Sequence, residues 1–415
     1  MAVDRRKVAV FGGAFVLRLL LSVLFPSLPD LLTGRVEVST PVNSFKRLQE
    51  GLFLYTRNVS PYDGGVFHQA PLLLPLFALL PNARDYPFVT AAFYALIDLV
   101  NANALVTISN SGQAVSGRLY SALRKDIKWD GVEVAAWFLF NPTTIAACLG
   151  RSTSAFTSTA ILYAVSNAAT GNSFNAMLAL GCASYLSIYP ALLFAPLVIL
   201  CYDRRAQDSR APCGAPIFAI QHFGIFLLSV GGLLGLSCLV APDFWQFICA
   251  TYGFQLLVPD LTPNIGLWWY FFIEIFDSFR EFFLGVFWLH LTGYVGGLTV
   301  RLRRQPLFVL ASLLGIFAIF KPYPSISDAS LYFALLPLYR HLFPFSALLY
   351  ATLLGPAFYH LWIYAGSGNA NFFYAITLVW SLGLSILVAD TIFAALRDEW
   401  EQENPELRGK DVRQV

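Results

Sequence analysis

Five histidines, His68, His222, His290, His341 and His360, are the side chains best suited to proton transfer or metal ligation near neutral pH, and they are scattered along the chain. No HExxH pair, GxSxG elbow, Walker loop or GxGxxG turn accompanies them. Six cysteines, Cys148, Cys182, Cys201, Cys213, Cys238 and Cys249, lie in or beside apolar runs without a CxxC pair or regular spacing. They read as buried small hydrophobes, and neither a disulfide framework nor a zinc site follows from them. A serine or cysteine nucleophile needs a base beside it, and no spacing supplies one. Carboxylates are the remaining option, with Glu37 in a long polar stretch and Asp63 further along it. No metal or cofactor is expected.

The elements that would position these residues follow from composition. Of 415 residues, 57% are hydrophobic and 13% charged, whereas a soluble domain carries about 25% charged residues. That excludes a soluble enzyme, a disordered tail and a fibre. Twenty-seven basic against 25 acidic residues give a net charge of +2, too little for nucleic-acid binding. The expected fold is an all-α polytopic membrane protein. A span needs about 20 apolar residues, fewer where helices are broken or paired. Candidates lie at 8–25, 87–108, 132–149, 154–169, 175–187, 189–201, 217–240, 283–300, 306–320, 328–340, 345–364 and 374–396, which makes about 12. The first is read as a retained span and not a cleaved signal, because no small-residue cleavage site follows it.

Lysine and arginine bias sets the orientation. Arg5, Arg6 and Lys7, then Arg118, Arg124, Lys125 and Lys128, then Arg204, Arg205 and Arg210, then Arg301, Arg303 and Arg304 can all face the cytosol only if the run 71–81 does not cross. Both termini are then cytosolic, with a single membrane domain over 1–396 and a charged tail over 397–415. Three polar stretches fall on the lumenal side: 26–70, 241–282 and 365–373.

Within the first stretch, Thr40-Pro41 predicts a helix start, and Phe45, Leu48 and Leu52 recur at helical spacing. The result is an amphipathic helix, lying on the membrane or on a lumenal subdomain. Asn58-Val59-Ser60 is a sequon weakened by Pro61. In the second, Thr262-Pro263 predicts another start, and Glu274, Asp277, Ser278 and Glu281 would share one stripe after the aromatic run 268–272. In the third, two glycines permit positive φ, and Asn369 and Asn371 both donate and accept hydrogen bonds. Trp362, Tyr364, Phe372 and Phe373 flank that turn. A plain helix–helix turn would satisfy the same composition. Inside the spans, Arg18 and Asp98 must pair or line a polar cavity, and Gly231/Gly235 and Gly293/Gly297 have GxxxG spacing.

The segment SPYDGGVFHQAPLL (60–73) resembles the end of the first lumenal loop in mannosyltransferases of the glycosylphosphatidylinositol (GPI) pathway. Those enzymes carry an acidic pair early in the loop, where this chain has Gly34 to Ser39 with Glu37 alone. The same segment, with PDLTPNIGLWWYFFIEIF (259–276), IFKPYPSISDASLYFALLPLY (319–339) and HLWIYAGSGNANFFYAITL (360–378), resembles the PIG-U family, the multi-spanning subunit of GPI transamidase. The resemblance extends over roughly residues 35–396.

That resemblance implies a fold similar to the membrane domain of GT-C glycosyltransferases, with catalysis lost. It also implies a place in an endoplasmic reticulum membrane complex that transfers GPI to precursor proteins bearing a C-terminal signal. The cysteine–histidine catalysis would belong to a caspase-like partner subunit. This chain would bind the GPI lipid. Asn369 and Asn371 are the expected headgroup contacts, Trp362, Tyr364 and Phe372 shape the groove, and the loop with Pro263, Asn264 and Trp269 serves the lipid or the signal peptide. An active mannosyltransferase using a dolichyl-phosphate donor, with Glu37 and Asp63 in catalytic roles, is the alternative. A transporter or scramblase, or a purely structural subunit, would show different signatures, inverted repeats in the first case.

Overall fold

In the computed structural model, the protein is described over residues 4–115, 130–207, 214–342 and 347–407. The expected cationic cluster Arg118, Arg124, Lys125 and Lys128, together with Arg210, Cys213 and residues 408–415, lies outside the described residues. The described chain is helical: α1 (Arg5–Leu24), α2 (Leu28–Thr33), α3 (Phe45–Tyr55), α4 (Leu73–Ala78), α5 (Pro87–Asn110), α6 (Gly131–Leu139), α7 (Pro142–Leu149), α8 (Ser154–Thr170), α9 (Ser173–Leu186) and α10 (Phe194–Gln207). There follow α11 (Ala215–Ser237), α12 (Phe244–Ile248), α13 (Phe254–Leu257), α14 (Trp268–Glu274), α15 (Asp277–Arg301), α16 (Pro306–Phe320), α17 (Ile326–Leu335), α18 (Ala347–Ile363) and α19 (Ala370–Glu403).

Among the described residues five helices, α1, α5, α11, α15 and α19, are long and apolar enough to cross a membrane, and the α6–α7 pair, bent by 56°, makes a sixth if counted as one. Asn141 causes the bend: its side chain accepts from Thr143 N and Pro142 occupies the first position of a new helix. The run at 71–81 forms only the six-residue α4. α16 is buried on every side from Pro306 to Ile319, whereas α15 buries only Leu291 and turns apolar side chains such as Leu289 and Phe282 outward. A helix apolar all round and buried occupies a core; one apolar and exposed requires an apolar solvent.

Several local expectations are corrected. The first amphipathic helix begins at Phe45, capped by Ser44, because Thr40 instead donates to Asn43 Oδ1 in a tight turn. Its apolar face is as expected, with Phe45 and Leu48 buried. Thr262-Pro263 starts no helix; the Thr262 hydroxyl bonds Asp260, and α14 begins at Trp268. The acidic stripe is broken at Ile275–Phe276, with Glu274 ending one helix and Asp277 beginning the next. The GxxxG glycines 231, 235, 293 and 297 have open space around them, so they make no close helix contact within this chain. Close approach occurs elsewhere: a Cβ on Gly315 of α16 would sit 2.7 Å from Val388 of α19.

Arg18 of α1 and Asp98 of α5 do pair, Nε to Oδ2 at 2.9 Å and Nη2 to Oδ2 at 2.8 Å, with side chains 1% and 8% exposed. Removing one partner of a buried pair typically costs about 3–5 kcal/mol, because the other charge is stranded. Asp98→Ala is therefore expected to lower the thermal midpoint of the purified protein severely, and Arg18→Asp with Asp98→Arg to recover part of it; no recovery in the double variant would contradict a pairwise role.

The first two polar stretches dock on each other through Arg47 Nη2 to Asp260 (2.9 Å), Ser60 to Gln246 (2.7 Å) and His68 Nδ1 to the Ala250 carbonyl (2.9 Å). His68 stacks on Phe254 at 3.6 Å. Burial holds the His68 pKa below its usual 6.5, outweighing the Ala250 bond. The unfolded chain then binds the proton more readily, so stability present above pH 6.5 is lost as pH falls through that value toward the lowered folded one. Thermal melts between about pH 7.5 and about pH 5.5 should show this loss, and His68→Phe should flatten it; parallel slopes in the two proteins would refute the assignment.

Candidate functional site

The loop leading into α14 is stapled before it reaches the aromatic run. Asp260 accepts from Thr262 N at 2.8 Å and pairs with Arg47, while Tyr323 Oη donates to the Asp260 carbonyl at 2.8 Å. Burial alone would raise the Asp260 pKa, but the Thr262 bonds and Arg47 hold it below its usual value. Asn264 is 1% exposed, its Oδ1 accepting from Gly266 N at 2.7 Å and its Nδ2 donating to the Thr262 carbonyl at 3.3 Å. It shapes the loop from within, next to half-buried Pro263. Gly266 is required by contact, since a Cβ there would lie 2.6 Å from Pro324 Cδ.

This loop presents Trp269 to the far end of the chain. Trp269 is 1% exposed and packs with Val36, Tyr359 and Phe373, all buried. Its ring lies 6.2 Å from Trp362 in a stacked arrangement and 5.7 Å edge-on to Tyr374. Tyr270 stacks on Tyr374 at 4.4 Å and donates its hydroxyl to Asn371 Oδ1. Tyr374 Oη in turn donates to the Leu267 carbonyl at 3.3 Å. Segments separated by about a hundred positions thus form one aromatic junction.

The turn between α18 and α19 rests on that junction. Gly366 takes φ +62° and ends the helix, as glycine does without steric cost. Gly368 does not adopt positive φ; it is small because the Trp362 backbone nitrogen would lie 3.2 Å from a Cβ. Asn369 is the N-cap of α19, its Oδ1 accepting from Asn371 N at 3.0 Å and Phe372 N at 3.3 Å. Both asparagines are exposed, as are Tyr364 at 63% and Phe372 at 56%. The cap fixes the Asn369 side chain and leaves its amide donors at the surface.

Phe373 of the junction also lines a groove of about 260 Å³. Its walls come from the segment 32–38, α7, α18 and α19, with Ile265, Ile326, Phe373, Ile376 and Trp380 among the lining side chains. Pro356, inside α18, is one of the lining residues. The charged lining residues are Arg35 and Glu37, joined by a two-pronged ion pair: Nη2 to Oε1 at 2.8 Å and Nε to Oε2 at 3.1 Å. A second cavity, of about 60 Å³, has a mixed polar and apolar lining that includes the Lys321–Asp328 pair at 2.5 Å. Gln69 Nε2 donates to the Ser44 carbonyl and Gln255 Oε1 accepts from Ser187, while Gln69 Oε1 has no hydrogen-bond partner among the described residues.

The residues selected from sequence divide accordingly. Trp269, Trp362, Tyr364, Phe372, Asn369 and Asn371 gather at the junction and the turn beside it, but none of them lines the groove, so Trp362, Tyr364 and Phe372 do not wall it as expected; Pro263 and Asn264 brace the loop that carries Trp269. Sequence reasoning missed the groove walls and Arg35, although Phe373, Thr377 and Trp380 follow a helical i, i+4, i+7 spacing that marks one face. Glu37 and Asp63 do not form an acid pair: Glu37 is held by Arg35, and Asp63 accepts from Gln246 at 2.7 Å. Among the described residues no three His, Cys, Asp or Glu side chains cluster as metal ligands.

The family model described as PIG-U, GPI transamidase subunit PIG-U, matches residues 12–380. The chain belongs to the PIG-U family. The human GPI-anchor transamidase component PIGU is 36% identical to it over 396 residues, covering 90% of each chain. The GPI transamidase component GAB1 of Saccharomyces cerevisiae is 35% identical over 418 residues, covering 98% of this chain and 99% of that one. The GAB1 homolog of Schizosaccharomyces pombe is 32% identical over 394 residues. In this PIG-U family member three of the four segments singled out by resemblance, 259–276, 319–339 and 360–378, meet at the junction and its loop, whereas 60–73 packs against 246–254.

Trp269→Ala should remove the junction's central ring and lower stability by about 3–5 kcal/mol, read as a fall in the thermal midpoint. Tyr270→Phe keeps the stack and loses only the bond to Asn371, so its effect should stay near 1 kcal/mol. Equal losses in the two variants would show that packing is not what holds the turn.

Proposed function

We propose that this chain is a non-catalytic subunit of a GPI transamidase complex and that it binds the GPI lipid during transfer to precursor proteins. The carrying observation is continuity: exposed Asn371 and Phe372 stand in the first turn of α19, capped by exposed Asn369, and Phe373, Ile376 and Trp380 of the same helix line the apolar groove. Acyl chains would enter the groove, and sugar or phosphate oxygens would meet Asn369 and Asn371. Trp362, Tyr364 and Phe372 would form the interfacial shoulder. Pro263, Asn264 and Trp269 would hold the shoulder in place and could also meet the C-terminal signal of the precursor.

Other subunits, among them a caspase-like catalytic one, would carry out the chemistry. The engagement of Glu37 by Arg35 and of Asp63 by Gln246 supports a non-catalytic role for this chain. Membership of the family and the number of apolar helices support residence in the endoplasmic reticulum membrane. There the helices would make about 12 crossings in a GT-C-like arrangement. Both termini would be cytosolic, by the distribution of basic residues.

Replacing Asn369 and Asn371 together by alanine should reduce surface display of a GPI-anchored reporter about tenfold, while co-isolation of the protease-like subunit remains unchanged. Undiminished display with the double variant would remove the headgroup assignment.

A further inference from the structure

The groove holds charge where its walls do not call for it. Val36 is buried in the aromatic junction, while its neighbours Arg35 and Glu37, in a turn closed by the Val38 and Ser39 N–H groups donating to the Arg35 carbonyl, line the groove. Their side chains are only 16% and 14% exposed. The Glu37 carbonyl accepts from Ile326 N at 2.9 Å, and the Arg35 guanidinium lies over the Tyr359 ring at 5.4 Å, so backbone and side chains are fixed from both sides. The pair uses Nε and Nη2 of Arg35 and one lone pair on each Glu37 oxygen. Nη1 has no partner among the described residues, and the carboxylate retains acceptor capacity.

A half-satisfied ion pair beside apolar walls favours a ligand that carries both signs of charge close together. A lone anion would meet Glu37 as well as Arg35, and a lone cation the reverse. An apolar tail alone would desolvate both charges without compensation. We propose that Arg35 and Glu37 are a specificity clamp for the lipid: Arg35 binds the phosphodiester that joins the diacyl glycerol to inositol, and Glu37 binds the free ammonium of the neighbouring glucosamine. The inference rests on the GPI reading above and sharpens it, because the clamp reads the unacetylated amine that distinguishes a mature GPI precursor from its N-acetylated form.

Trp380 adds a second feature. It is 7% exposed, lines the groove, and its Nε1 has no hydrogen-bond partner among the described residues. An ester carbonyl of a glycerolipid is an acceptor of the kind such a buried donor lacks.

The test uses the whole complex isolated in mild detergent, with retained lipid counted by native mass spectrometry. The probes are glucosaminyl-phosphatidylinositol, its N-acetylated counterpart and phosphatidylethanolamine. The wild-type complex should retain the free-amine lipid about tenfold better than the N-acetyl lipid, the loss expected for one charge-assisted hydrogen bond. Glu37→Gln should abolish that preference, and Arg35→Gln should weaken both lipids. The double variant R35E/E37R restores an ion pair with reversed polarity. It should assemble yet fail to bind, whereas a purely structural pair would be rescued.

Equal retention of the two glucosaminyl lipids by wild type would overturn the clamp and leave the GPI reading standing. That comparison needs no variant to fold. Displacement of the amino-sugar lipid by equimolar phosphatidylethanolamine would overturn it too, by assigning the site to bulk lipid. Retention of neither glucosaminyl lipid would bring down the clamp and the GPI reading together.

Discussion

The placement of Trp269 governs everything around the groove. Its buried indole meets Val36 from the first polar stretch and Tyr359, Trp362, Phe373 and Tyr374 from the last two helices. Aromatic rings bury much area at little conformational cost, and edge-on or offset pairs add to it. One side chain therefore joins three regions that the chain keeps far apart. Without that junction, the asparagine turn would be an unsupported loop and the groove would lack a roof.

The loop that delivers Trp269 is rigid for polar reasons. Asp260 binds Thr262, Arg47 and, through its carbonyl, Tyr323; Asn264 binds the loop at both ends; Gly266 lies against Pro324. Buried polar groups held in this way specify one arrangement, because an unmade bond in a dry site is expensive. Arg18 and Asp98 obey the same rule deeper in the fold, where either charge alone would be untenable. Along the outer faces of α11 and α15, by contrast, few side chains are buried and polar residues are sparse, as an apolar surrounding demands.

In the proposed lipid site two kinds of force would divide recognition. Area and shape along Ile265, Ile326, Ile376 and Trp380 would not discriminate one acyl chain from another. Discrimination would come from the few polar groups nearby: the two exposed asparagine amides of the turn and the Arg35–Glu37 pair at the wall.

Composition alone determined the helical membrane class, because so little charge cannot cover a water-facing surface. Helix positions at 87–110 and 215–237 were legible from apolar run length, and the Phe45–Leu48–Leu52 face from its period. The pairing of Arg18 with Asp98 could be anticipated, since each needed an opposite charge. Helix starts were misread at Thr40-Pro41 and Thr262-Pro263, where side chains found turn partners that a linear pattern does not reveal. The glycine pairs at 231/235 and 293/297 looked like contact motifs, yet spacing says nothing of which face meets a neighbour. Asn369 and Asn371 were visible as unusual residues, but their union with Tyr270 and Trp269 was decided only by tertiary packing. So was the groove, whose walls come from segments more than a hundred residues apart: contact between distant parts is a property of the folded chain, and no local period encodes it.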